Sequence, residues 1–321
     1  MPDLPRLLVT RRLPEAVAAR AHAGFAATLN PEDRQLSAAQ IAQAAAGHDA
    51  ILCCSTEKFS AESIEALPDS VRIIATFSVG HEHIDLEAAK RRGIQVTNTP
   101  DVLTDATADI TLLCLLGAAR RAHEGARMLR QGEWHGWSTT QLVGVHVTGK
   151  RLGILGMGRI GRAVAQRARG FEMEIHYSNR SRLSPEREQG ATYHETPESL
   201  LEVSEFFSIN CPSSPETLKF LNAERIALLP DGAVVVNTAR GNIVDDDALI
   251  AALASGKLAS AGLDVYAGEP ELDPRYLGVE NAFLLPHMGS ATVETRNAMG
   301  FKCLDNLEAF FRGAAPPDAL V

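Results

Sequence analysis

The chain has 321 residues, 45% of them hydrophobic and 22% charged, which is ordinary for a soluble globular protein and long enough for two domains. A net charge of −9 argues against a nucleic-acid footprint, and no apolar run approaches the roughly 20 residues of a membrane span. Five scattered cysteines (Cys53, Cys54, Cys114, Cys211 and Cys303) form neither a disulfide framework nor a zinc spacing, and the N-terminus lacks the basic-then-apolar pattern of a secretion signal. The expected setting is therefore reducing and cytoplasmic, with no nucleic-acid or membrane partner.

In the first third, Arg6–Thr10, Ala50–Cys54, Arg72–Thr76 and Ile94–Thr97 read as strands. Helical patterns fall between them at Pro14–Ala23, Ser37–Ala46, Ala61–Ala66 and Leu86–Arg91. Strands alternating with helices imply βαβ units and a parallel sheet. Asn98–Asp101 is a plausible crossing point. Asp105–Arg130 is mostly apolar and free of proline, which predicts one long buried helix linking two domains. A loop containing Trp134 and Trp137 follows, over Gly132–Gly144. A second alternating set then has strands at Arg151–Leu155, Glu174–Ser178, Phe206–Asn210, Ala233–Asn237, Ala261–Val265 and Ala282–Leu285. A last helix, Ala291–Arg312, has room to return to the first domain. The expected fold is α/β, two Rossmann-like doubly wound parallel sheets, with residues 101–288 inserted between 1–100 and 289–321.

The most informative stretch is Gly156–Met157–Gly158–Arg159–Ile160–Gly161, because apolar Leu152–Leu155 runs into it and a helical pattern runs out of it. GxGxxG that closes a strand and opens a helix is the dinucleotide-binding fingerprint. Its glycines allow a tight turn and close backbone approach, and the helix N-terminus offers unpaired N–H groups to a pyrophosphate. An NAD site would usually place an acid roughly twenty residues later, to bind the ribose 2′-hydroxyl. Here the residues are Ser178–Asn179–Arg180–Ser181–Arg182, whose guanidiniums and short polar groups suit a 2′-phosphate, so NADPH is expected ahead of NADH.

Three later strands end in chemistry. Arg240 follows Val234–Asn237, Glu269 follows Gly262–Val265, and His287 follows Leu284–Leu285. Ligands of open α/β sheets bind outside the carboxyl ends of the strands. A cation for a carboxylate, an acid for a carbonyl oxygen and a carboxylate to tune that acid are what hydride addition to a 2-oxo acid requires. Alone, Arg240 could simply pair with a neighbour such as Asp245, and Glu269 could be turn chemistry before Pro270.

With these motifs, Ser78–Val79–Gly80–His81–Glu82–His83–Ile84–Asp85 and Trp134–His135–Gly136–Trp137, nearly the whole chain resembles the D-isomer-specific 2-hydroxyacid dehydrogenase family, and within it the glyoxylate/hydroxypyruvate reductases. The resemblance implies Arg240, Glu269 and His287 as catalytic residues, with His287 the proton donor. It implies that the amides of Val79 and Gly80, with Arg240 and His287, hold the substrate. It assigns the cofactor to Leu103, Thr107, Gly156, Met157, Gly158, Arg159, Ile160, Gly161, Ser178, Asn179, Arg180, Ser181, Cys211, Pro212, Thr217, Thr238, Ala239, Arg240, Asp264, His287 and Gly289. It also implies a homodimer in which Trp137 reaches the partner's substrate site. Two alternatives stay open: another D-2-hydroxyacid dehydrogenase of the family, of 3-phosphoglycerate or D-lactate type, and a nucleotide-sensing corepressor-like protein. The chain departs from the family at His81–Glu82–His83, which leaves the loop's path uncertain. These histidines lack a third matched ligand, so no metal is expected.

Overall fold

The computed structural model describes Leu4–Val321, and the chain divides into two compact units, one of Thr104–Gly289 and one of the residues up to Leu103 together with Ser290–Val321. The sequence reading put these crossings at 100/101 and 288/289. Every strand pair in either sheet is parallel.

The discontinuous unit begins β1 (Arg6–Val9), α1 (Glu15–Gly24), β2 (Ala26–Thr28), α2 (Ala38–Ala44), β3 (Ala50–Cys53), α3 (Ala61–Glu65), β4 (Ile73–Thr76), α4 (Leu86–Arg91) and β5 (Gln95–Thr97). Its five-stranded order is β2-β1-β3-β4-β5. Strands β3 and β4 are buried at every residue, as expected when helices cover both faces of a sheet. The helices start on side-chain caps: Ser37 with Gln40 forms a capping box for α2, Ser60 caps α3 and Asp85 caps α4.

The continuous unit runs α5 (Thr104–Ala119), α6 (Ala122–Arg130), β6 (Arg151–Leu155), α7 (Arg159–Ala168), β7 (Glu174–Ser178), α8 (Pro185–Glu188), β8 (Thr192–Tyr193), α9 (Pro197–Val203), β9 (Phe206–Ile209), α10 (Ala223–Leu228), β10 (Ala233–Asn237), α11 (Asp246–Ser255), β11 (Leu258–Leu263) and β12 (Ala282–Leu284). Its seven strands lie in the order β12-β11-β10-β9-β6-β7-β8. Strand β6 therefore sits at the reversal of strand order, the position from which doubly wound sheets bind a nucleotide. The chain closes with α12 (Val293–Phe311), which packs on α1 and β4 of the discontinuous unit. Among the described residues no helix is long and apolar enough to cross a membrane.

The structure corrects one element. The single helix expected over Asp105–Arg130 is two, because the chain breaks at Arg121, which takes φ +51°. Most of α5 is buried, although Asp105, Asp109 and Leu113 are exposed; in α6 Glu124 is the one buried residue, held by Arg121 at 2.6 Å. Apolarity across the stretch hid a change from core helix to surface helix. The short strands β2 and β8 also escaped the sequence reading: three and two residues are too few for a periodicity.

Helix α5 lies close on the sheet because two positions lack side chains. A Cβ on Gly262 of β11 would stand 2.4 Å from the Cys114 carbonyl oxygen, and one on Gly117 would stand 2.8 Å from the Phe283 ring. The Gly262 neighbour is helix backbone, which cannot rotate away. Gly262→Ala is therefore expected to destabilise the continuous unit by roughly 1–3 kcal/mol, the usual cost of overpacking. Thermal melting followed by circular dichroism checks this, and an unchanged melting temperature would refute the close-approach argument.

Candidate active site

The fingerprint turn is built from three glycines with three different surroundings. Gly156 has φ +93°, and a Cβ there would come within 2.6 Å of the Cys211 amide nitrogen, so β6 can turn against the end of β9 only at a glycine. A Cβ on Gly161 would meet the Gly156 carbonyl oxygen at 2.3 Å, so the third glycine lets α7 close on its own strand. A Cβ on Gly158 would have nothing within 4 Å. Gly158 is the N-cap of α7, with no side-chain cap. The first-turn N–H groups of α7 thus face open space, the arrangement an anionic pyrophosphate needs. The residues present therefore fit a dinucleotide.

The surrounding candidates divide into braces and exposed groups. Asn179 accepts the Met157 N–H at 2.6 Å through its Oδ1, so it ties the end of β7 to the fingerprint turn. Met157 and Ser178 are buried, and Ile160 packs on the core beside β6. Arg159, Arg180 and Ser181 are exposed. The charge of Arg180 reaches Glu216 and helps to hold that carboxyl below its ordinary range, after the Ser214 hydroxyl. Arg182, read from sequence as a second phosphate-binding guanidinium, is instead bonded to the buried Glu188 at 2.8 Å. On the far side, Cys211 is partly buried and Pro212 exposed, and the Thr217 hydroxyl folds their loop by accepting the Ser214 N–H at 2.8 Å and donating to the Pro212 carbonyl at 2.9 Å.

The ends of β10, β11 and β12 bring the three residues expected to be catalytic, Arg240, Glu269 and His287, into one unit. Asn237 shapes the first turn, accepting the Ala239 N–H at 3.0 Å and donating to the Arg240 carbonyl at 2.9 Å. Arg240 is half-buried, and its guanidinium donates to the Ala239 carbonyl at 2.7 Å. Asp245, a conceivable alternative partner for Arg240, caps α11 and pairs with Lys219 at 3.2 Å. Glu269 Oε2 lies 2.6 Å from His287 Nδ1, with side chains 31% and 47% exposed. Its other oxygen accepts the Tyr266 N–H at 2.7 Å. Burial pushes the Glu269 carboxyl up, but the bond and charge of His287, the Tyr266 amide and the charge of Arg240 together hold it below the ordinary carboxylate range. The pair stays ionised on the Glu269 side.

Asp264 organises this corner. It is 1% exposed, and its two oxygens accept the Met288 N–H at 2.6 Å and the Gly289 N–H at 2.8 Å. Burial is the larger influence on this carboxyl and leaves it above its ordinary value. His287 takes φ +53°, a left-handed conformation uncommon for a residue with a side chain. Thr107 donates to the Gly289 carbonyl at 3.2 Å, and Thr111 meets the Thr238 hydroxyl at 2.7 Å, so α5 is tied to two of the three strand ends. Leu103 lies just before α5 and is partly buried. Asn237 and Tyr266, whose hydroxyl donates to the Leu263 and Leu285 carbonyls, escaped the sequence reading as positioning groups. Each stood inside a quoted motif, but its role depends on partners elsewhere in the chain.

In the discontinuous unit, Val79 and Gly80 follow β4. Their carbonyls are taken internally, by Asn98 Nδ2 at 2.8 Å and Ser78 Oγ at 2.7 Å. The uncertain His81–His83 path is settled by bonds to α3's leader: Phe59 N–H donates to the His83 carbonyl at 2.7 Å, and Asp85 N–H donates to the Phe59 carbonyl at 2.8 Å. His83 Nε2 lies 2.9 Å from the Thr76 hydroxyl. Among the described residues no group of three or more His, Cys, Asp or Glu side chains is arranged to hold a metal ion. Trp134 and Trp137 are 52% and 81% exposed.

Residues 112–289 match the family model described as D-isomer specific 2-hydroxyacid dehydrogenase, NAD binding domain. The chain is 45% identical to a glycerate dehydrogenase of Hyphomicrobium methylovorum over 96% of its own length and 97% of the relative's. It is 41% identical to a glyoxylate reductase of Pyrococcus furiosus, covering 98% of this chain and 94% of that one. Among solved structures it is similar to an NADPH-dependent glyoxylate/hydroxypyruvate reductase of Sinorhizobium meliloti in complex with NADP and malonate, at a TM-score of 0.89 and 34% identity, covering 99% of this chain and 97% of the other. With two parallel doubly wound sheets and similarity along its whole length, the chain belongs to the D-isomer-specific 2-hydroxyacid dehydrogenase family.

Proposed function

We propose that the protein reduces small 2-oxo acids, glyoxylate and hydroxypyruvate, to D-2-hydroxy acids with NADPH, and uses NADH less well. The observation that carries this reading is the Glu269–His287 pair at 2.6 Å, at the carboxyl end of the sheet whose β10 exit carries Arg240. When bound, the reduced nicotinamide supplies a hydride to C2 of the substrate. Arg240 binds the carboxylate and polarises the ketone. Protonated His287 donates from Nε2 to the ketone oxygen, since Nδ1 is engaged by Glu269. Glu269 fixes the ring's orientation and, by engaging Nδ1, leaves Nε2 as the atom that faces the substrate. The amides of Val79 and Gly80 serve the substrate carboxylate. The similarity to a glyoxylate reductase and to an NADPH-dependent glyoxylate/hydroxypyruvate reductase supports this choice of substrate and cofactor. Similarity to a glycerate dehydrogenase fits the same chemistry run in the opposite direction.

His287→Ala is expected to lower the reduction rate by ~10²–10⁴-fold, the usual contribution of a general acid, with cofactor binding retained in a fluorescence titration. Reduction needs the protonated ring, so activity is lost as pH rises. Glu269, held below the ordinary carboxylate range, is an anion beside the ring; Glu269→Gln removes that charge, and the high-pH edge of the rate profile is expected to move to lower pH. A profile that stays fixed or moves upward would sink the pairing.

The cofactor preference is assigned chiefly to Arg180, the exposed guanidinium after β7. A hydrogen bond to a charged group is worth about 1.5–3 kcal/mol. Arg180→Ala is therefore expected to cut the NADPH:NADH ratio of kcat/KM by roughly ten- to a hundred-fold, and a wild type that prefers NADH would reverse the assignment.

The exposed Trp134 and Trp137 support a homodimer built through their loop, because exposed indoles are costly in a monomer and favoured at interface cores. Sedimentation at micromolar concentration is expected to give a dimer. Trp137→Ala is expected to weaken discrimination against bulky 2-oxo acids, and unchanged selectivity would confine Trp137 to assembly.

A further inference from the structure

The loop between β7 and α8 carries the exposed Arg180, and it is held at both ends. At its start, Asn179 Oδ1 accepts the Met157 N–H at 2.6 Å. At its end, the Leu183 N–H donates to the Tyr177 hydroxyl at 3.0 Å, and Arg182 donates to Glu188 through Nε at 2.8 Å and Nη2 at 3.2 Å. Between these anchors stand only Arg180 and Ser181, both exposed.

The second anchor is a buried polar pair. Tyr177 of β7 is fully enclosed, and its ring centroid lies 5.3 Å from that of Tyr193 in β8. Its hydroxyl accepts the Leu183 N–H and donates to Glu188 Oε1 at 2.5 Å. Glu188, the last residue of α8, is buried as well. A phenol and a carboxylate withdrawn from water are costly unless they are bonded. Here their bonds run to each other and to the two loop residues Arg182 and Leu183, so what the pair fixes is the loop.

Charge points the same way. A carboxylate close to this loop would disfavour a 2′-phosphate, and the planar fork of Arg182 covers it with two bonds. Arg182 is thereby committed to Glu188, which leaves Arg180 as the guanidinium open to a ligand. A loop fixed before its ligand arrives loses less conformational entropy on binding.

We propose that Tyr177 and Glu188 are positioning residues for cofactor selection, holding the loop so that the Arg180 guanidinium meets the 2′-phosphate of NADPH, with Arg182 as their counter-charge rather than a phosphate ligand. This rests on the NADPH reading above and deepens the account of that same site.

The readout is the NADPH:NADH ratio of kcat/KM, measured at saturating glyoxylate. Tyr177→Phe keeps the ring and removes the hydroxyl that anchors Leu183. It is expected to lower the ratio about two- to tenfold, the worth of one ordinary hydrogen bond. The loss should fall on KM for NADPH, with kcat and the NADH parameters retained. Glu188→Gln is expected to lower the ratio as well, and it carries the test if the phenylalanine variant does not fold. In an Arg180→Ala background, Tyr177→Phe is expected to change the ratio no further, because the guanidinium it positions is gone. A ratio that rises in Glu188→Gln overturns the proposal, since a released Arg182 would then be binding phosphate itself. Equal losses with both cofactors, or a full additional loss in the double variant, overturn it too, the first by making the pair merely structural. A ratio that falls in Arg180→Ala but stays fixed in both Tyr177→Phe and Glu188→Gln overturns the positioning role alone. A wild type that prefers NADH, or a ratio unmoved by Arg180→Ala, overturns the cofactor reading and this inference with it.

Discussion

The geometry of the candidate active site depends on one buried carboxylate. Asp264 leaves β11 with both oxygens bonded to backbone amides of the segment after β12. A carboxylate can be held out of water only if it is well bonded, and these two amides meet that need while fixing the path from Leu284 to Gly289. His287 lies immediately before the bonded pair and accepts a left-handed backbone as a consequence. Its ring then meets Glu269, which leaves the same strand as Asp264 a few residues later. The network continues through the Gly289 carbonyl to Thr107, along α5 to Thr111, and across to Thr238 beside the turn that carries Arg240. The ends of β10 and β12 are thereby braced against one helix, and Asp264 ties the end of β11 to that of β12.

Two acids from one strand exit hold different roles because their surroundings differ. Asp264 is enclosed and bonded to fixed backbone, so it sets position. Glu269 is partly exposed and bonded to an imidazole, so it can respond to that ring's charge. Proton transfer needs a donor that solvent or substrate can reach, and the half-exposed His287 meets that requirement. The buried acid beneath supplies the rigidity that an exposed pair lacks.

The nucleotide-binding unit shows the same economy in its glycines. Gly156 and Gly161 are required by backbone that comes within 3 Å of where a side chain would begin, whereas Gly158 faces open space. One pair shapes the turn and the third clears room for a ligand. Gly262 and Gly117 extend the principle to α5, whose threonines could not reach the strand ends if the helix stood a side chain farther away. The break at Arg121 ends this close packing, and α6 continues on the surface.

Much of the fold was legible in the sequence because its signals are local. Continuous apolar runs marked all but the edge strands β2 and β8 of the two sheets, and a strand-to-helix GxGxxG marked the point where strand order reverses. The positions of Arg240, Glu269 and His287 just past three strands were also readable, since parallel strands present their carboxyl ends on one edge. What the sequence could not specify was pairing between residues far apart in the chain. Asn179 and Arg182 looked alike as phosphate ligands, yet one braces the Met157 amide and the other is taken by Glu188. Nothing near Asp264 announced that its partners lie beyond the next strand, and apolarity over Asp105–Arg130 gave no sign that the chain turns at Arg121. Periodicity and turn chemistry act over a few residues and are written into the sequence. Which donor meets which acceptor is set by packing between distant segments, and only the tertiary structure decided it.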